Sequence, residues 1–156
     1  MITRSFYVQF FALLLCACSS STDEHQTSSQ NLNPEQQKVN NLEQEVIHLH
    51  DEVMPLMADL VDLKGKLQRR NEELEASDES GAQDQAIINQ MIISNLDIAH
   101  ESMMDWMRNY QKIDIEDDVS ENTAYLEQEK SKMNVVTEQI YSAIAAAEEA
   151  LDNSPK

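Results

Sequence analysis

Between Val39 and Leu67 the apolar positions recur at alternating intervals of three and four residues: Val39, Leu42, Val46, Leu49, Val53, Leu56, Leu60, Leu63 and Leu67. That rhythm is the seam of one long helix packed in coiled-coil fashion. Asn33-Pro34-Glu35-Gln36 supplies its start, with Asn as N-cap, Pro at the first helical position and Gln able to close a capping box. The helix is predicted to run to about Ala76, roughly 65 Å if continuous. Pro55 removes an amide donor from its middle. In the heptad where Val53 is a and Leu56 is d, Pro55 falls at c and faces solvent, so a kink is expected rather than a break.

Ser77 to Gly81 reads as a turn. A second helix follows to about Lys112, with Ile88, Ile92, Leu96, Ala99, Met103, Trp106, Tyr110 and Ile113 as its apolar face. Asp114 to Asp118 is an acidic loop, after which Ser120 or Asn122 can cap a third helix. Its face is Leu126, Met133, Val136, Ile140, Ile144, Ala147 and Leu151, and Asn153-Ser154-Pro155 ends it. Strand signals are absent. The pattern predicts an all-α fold over residues 34–156, an antiparallel bundle of three long helices with coiled-coil-like heptad packing. The first helix outruns its neighbours, so Val39 and Leu42 either overhang as a homodimer seam or are covered by the third helix or the 113–119 loop.

The beginning of the chain has a different character. Arg4 precedes an apolar run from Phe6 to Leu15, followed by Leu15-Cys16-Ala17-Cys18. A basic start, a short apolar core and a small residue before a cysteine make a secretory signal, and the last four residues resemble a bacterial lipobox. The run is too short to span a membrane. Residues 1–17 are therefore expected to be a lipoprotein signal peptide, with Cys18 the lipid attachment point. Cys16 would leave with the leader, and the folded part would contain no cysteine. Several acyl chains on Cys18 would give a stable membrane anchor where one would give only a marginal one. Ser19 to Asn33 is almost wholly polar, a tether spanning roughly 20 Å. Asp23-Glu24 within it resembles the acidic surface-export signals of Bacteroidetes lipoproteins.

Charge narrows the partners. The chain carries 11 Lys and Arg against 29 Asp and Glu, a net charge of −18. Such a surface repels phosphate backbones and anionic head groups, so nucleic acid is not an expected partner and the lipid must do the anchoring.

Candidate chemistry is confined to one constellation. His50, Met54 and Met57 share one side of the first helix, and His100, Met104 and Met107 share one side of the second. An antiparallel hairpin sets Met57 opposite position 102, Met54 opposite 105 and His50 opposite 109. Thioether and imidazole ligands suit Cu(I), which makes a copper site the competing reading, with haem a weaker variant. Methionine is also an ordinary filler of helical cores, and Met103, Trp106, Met107 and Tyr110 can form a sulfur and aromatic cluster without a ligand.

Enzyme templates fail. His100-Glu101 lacks the second histidine of a zinc-protease motif, and two glycines, Gly65 and Gly81, provide neither a phosphate loop nor a nucleophile elbow. Asp114, Glu116 and Asp118 imitate the start of an EF-hand loop, but Val119 stands where glycine is needed and Tyr125 where the last acid belongs.

His-Asp-Glu-Val-Met-Pro at His50 to Pro55 and Met-Met-Asp-Trp-Met at Met103 to Met107 resemble strings found in a group of small helical Bacteroidetes lipoproteins. These commonly carry the transferred label "viral A-type inclusion protein". The resemblance implies an exported, lipidated, helical protein and assigns no activity to any residue. The expectation is a non-enzymatic lipoprotein of the bacterial envelope, anchored at the outer membrane and acting as an interaction or structural module on an envelope protein.

Overall fold

In the computed structural model, residues 32–78 and 80–153 are described. The expected leader, the expected lipid site Cys18, the expected tether up to Asn31 and the terminal Ser154-Pro155 lie outside them. The described residues hold four α-helices and no strand: α1 Pro34–Val53, α2 Met57–Glu75, α3 Ala82–Asn109 and α4 Val119–Asp152. A single 3-10 turn, Met54–Leu56, joins α1 to α2, so the first predicted helix is α1 and α2 run together. The fold is an all-α bundle, and no helix among the described residues is long and apolar enough to cross a membrane.

α1 begins where the sequence places it. Asn33 is extended, its Oδ1 accepts from the amides of Glu35 and Gln36 at 3.0 and 2.9 Å, and Gln36 Oε1 accepts from the Asn33 amide at 3.1 Å. The capping box thus satisfies donors that the helix itself leaves free. At the other end, Pro55 tightens the ladder for one turn and does not sever it. Met54 still donates to the His50 carbonyl, Met57 donates back to Met54, and Pro55 itself is exposed.

The heptad seam resolves into two ranks. Val39, Val46, Val53, Leu60 and Leu67, all at a, are no more than 1% exposed. Leu42, Leu49 and Leu56 at d are half-buried against the same core, and only Leu63 of that rank is buried outright. α1 packs chiefly on α4, whereas α2 packs on α3 and α4 together. Leu63, the one buried d residue, therefore sits where two helices close over the seam. Full burial of each such side chain stabilises by about 1.5–3 kcal/mol.

α4 and the loop before it cover the stretch of α1 that outruns α3. Val39 is 1% exposed, Lys130 bridges to Glu45, Tyr141 donates to Glu52 at 3.1 Å, and Gln36 reaches the Ile115 carbonyl at 3.3 Å. This end of the seam is packed within the chain.

Two elements depart from the sequence pattern. On α3 the buried positions are Ala82, Asn89, Ile93, Leu96, Ala99, Met103 and Trp106, so the N-terminal part of its face is turned by one residue. Ile88, expected inside, is 49% exposed. Asn89 takes its place, 0% exposed and hydrogen-bonded to Asn71 of α2 at 2.8 Å. α3 also stops at Asn109, because Tyr110 turns extended at ψ 129. α4 begins earlier than expected: its N-cap is Asp118, whose carboxylate accepts from the Ser120 and Glu121 amides at 2.8 and 3.0 Å. Ser120 lies inside the helix, and Asn122 is buried and donates to the Asp114 carbonyl.

Candidate functional site

The His/Met constellation straddles the 3-10 turn. Met54, Met57 and Met107 are half-buried and pack on the common core, where Met103 is completely buried. Met104 and His100 are half-buried on α3, and Met104 does not join that packing. Asp97, His100 and Met104 share one edge of α3, and Asp97 is bonded to Lys64 of α2 at 2.6 Å. Two turns further along, that antiparallel pairing sets Met104 level with Met57.

His50 meets a different neighbour from the expected position 109. Its ring lies 5.4 Å from that of Trp106, tilted by 33°, and its Nδ1 is 2.8 Å from Asp51 Oδ1. Trp106 continues the chain of rings to Tyr110 at 4.8 Å, and Tyr110 to Tyr125 at 6.2 Å. These rings thus form a ladder from α1 across α3 to α4. The Tyr110 hydroxyl faces Glu43 at 3.5 Å. Burial first, then the charge of Glu43, hold its ionisation well above the ordinary tyrosine range. Among the described residues no three His, Cys, Asp or Glu side chains come together as a metal site.

The acidic loop spends its oxygens locally. Asp114 Oδ1 accepts from the Glu116 amide at 3.0 Å, the Asp114 carbonyl accepts from Asn122, and Asp118 caps α4. These bonds tie the loop to itself and to the start of α4.

A groove between α3 and α4 was not anticipated. Its wider part, about 540 Å³, is lined by Trp106, Asn109, Glu129, Lys132, Val135 and Gln139 among others. Its narrower part, about 410 Å³, includes Asn95, Ile98, Ser142 and Ala146 and shares Val135 and Gln139 with the first. The two parts therefore run into one another along four turns of α3. Ile98 and Val135 are both 53% exposed. Glu129 is 3% exposed and pairs with Lys132 at 2.7 Å. Trp106 Nε1 and Gln139 Oε1 are buried without a hydrogen-bond partner. Sequence signals for part of this existed: Glu129 falls three residues after Leu126 and four before Met133, in phase with the core. The groove itself depends on how two helices sit side by side, which no local pattern encodes.

Compared with known proteins, the chain matches no family model, no curated sequence and no solved structure.

Proposed function

We propose that this chain is a lipid-anchored protein of the bacterial envelope whose helical bundle acts as an interaction module. The observation that carries the reading is the contrast between a filled core and an apolar outer face. The a positions of the seam are closed, while Ile87, Met91 and Ile98 on α3 are 57, 64 and 53% exposed and lie on one face of that helix. Apolar surface gathered on a face marks an interaction site more often than scattered single residues do. The lipobox-like Leu15-Cys16-Ala17-Cys18 supports anchoring through Cys18.

Two measurements test this in cells. Metabolic acyl labelling should follow Cys18 and vanish in Cys18→Ser. A photocrosslinking residue at Ile98 should capture a defined envelope protein that the same residue at exposed Gln68 of α2 does not. Absence of both signals overturns the reading.

A second reading, Cu(I) binding by His50, Met54, Met57, His100, Met104 and Met107, draws support from Met57 and Met104 standing level across α2 and α3. Competing with it, His50 is engaged by Asp51 and Trp106, and Met54, Met57 and Met107 are engaged by the core. A chelator competition decides between them.

A further inference from the structure

The groove between α3 and α4, together with the charge around it, specifies what kind of partner fits. We infer that it receives a basic amphipathic helix of another protein. The inference rests on the interaction-module reading and narrows it to a partner chemistry.

Shape is the first argument. From Asn95 to Asn109 the groove follows α3 for about 21 Å at the helical rise. That length suits four turns of a docked helix. Ile98 and Val135 stand exposed on its two walls, Met91 extends the apolar line two turns before Ile98, and Ser142 and Ala146 keep the α4 wall low. A helix-in-groove partner supplies apolar residues at i, i+3 or i+4, and i+7 to such a surface. Small side chains on one wall let the two backbones approach closely.

Charge is the second argument, and it selects the partner's sign. α3 and α4 together carry eleven Asp and Glu against three Lys and Arg. All three cations are already engaged: Arg108 with Glu101 and Asp105, Lys130 with Glu45 on α1, and Lys132 with Glu129. Glu138 lines the groove with no cation against it among the described residues. An acidic partner would meet uncompensated repulsion, whereas a basic one would be drawn in and its apolar stripe then seated. A second copy of this chain, at −18, has the wrong sign.

The test uses the full-length chain and a synthetic 18-residue helical peptide of Leu and Lys, with Leu along one stripe, beside a counterpart carrying Glu for Lys. Calorimetry should give saturable one-to-one binding of the Leu/Lys peptide. The Ile98→Ser, Val135→Ser double variant should weaken it at least tenfold, with circular dichroism unchanged because both side chains are exposed. Val61→Ser, an equally exposed change on α2, should leave the affinity as it was. Binding that ignores the groove variant, equal binding of the Glu peptide, or a dimer by sedimentation that the groove variant dissolves would each overturn the inference. If the peptide fails while crosslinking at Ile98 still captures an envelope protein, the interaction module stands and its basic partner does not.

Discussion

Asn89 Nδ2 donates to Asn71 Oδ1 at 2.8 Å where α2 packs on α3, and both side chains have further work. Asn71 Nδ2 donates to the Ala86 carbonyl at 3.2 Å, and Gln85 Nε2 donates to Asn89 Oδ1 at 3.1 Å. A buried amide pair of this kind fixes one register, because sliding either helix leaves polar groups unpaired in the core. Asn89→Ala should cost about 1–3 kcal/mol, since it strands Asn71 and Gln85. Urea denaturation measures this directly. The Asn71→Leu, Asn89→Leu double variant should lose less than Asn89→Ala alone, as Asn71 is no longer left without its partner. A double variant as unstable as the single would mean that packing, not hydrogen bonding, dominates the site.

The start of α4 can be assigned by mutation. Asp118→Ala removes the acceptor for two amides and should cost about 1 kcal/mol. Ser120→Ala, already inside the helix, should shift the thermal midpoint by less than the error of the measurement. If Ser120→Ala proved the costlier change, the cap would belong to Ser120.

Why one helix was legible and another was not follows from these residues. The seam from Val39 to Leu67 needed only apolar spacing, and Asn33 to Gln36 only local capping chemistry. Both are written within a few residues of where they act. α3 misled because Ile87 and Ile88 are apolar on the outside while Asn89 is polar on the inside. The choice between Ile88 and Asn89 was made by Asn71, 18 residues earlier. Asp118 and Ser120 are both good caps, and the loop's path decides between them. Of the His/Met set, the ring of His50 meets Trp106 of α3, a contact that depends on how two helices lie together and that no local spacing encodes.

Three tyrosines predict how stability responds to alkali. Tyr110 and Tyr125 are raised above their ordinary value of 10.0 first by burial, and Tyr141 by its hydrogen bond to Glu52. A group whose ionisation is raised on folding supports the fold fully below its ordinary value, and that support is lost as pH climbs towards the folded value. The urea midpoint should therefore show no tyrosine-linked change below pH 10.0 and should fall above it. Tyr110→Phe should make that fall shallower. An unchanged slope would mean that Tyr110 ionises as freely in the folded chain as in the unfolded one.

Copper supplies a separate discriminating experiment. On the interaction-module reading, a Cu(I) chelator competition with the Cys18→Ser chain should give no stoichiometric tight binding. The Met54→Leu, Met104→Leu variant should then behave like its parent, since Met and Leu are near in volume. Tight binding that disappears in this variant at constant helicity would make it a metal protein.

The division of labour on either side of Pro55 bears on the order of assembly. α2 and α3 are joined by a short turn at Gly81, whose φ of 95° is a backbone state that glycine adopts freely, so their pairing closes a small loop. α1 finds α4 only across the chain: Glu45 meets Lys130 and Glu52 meets Tyr141, 85 and 89 residues apart. Short loops close at lower entropic cost and sooner than long ones. Pulsed hydrogen exchange during refolding should protect the amides of α2 and α3 first and those of α1 last. Release should run in reverse, with α1 peeling from α4 while the α2 and α3 hairpin holds, so α1 is the first to yield when the chain is pulled from its N-terminal side.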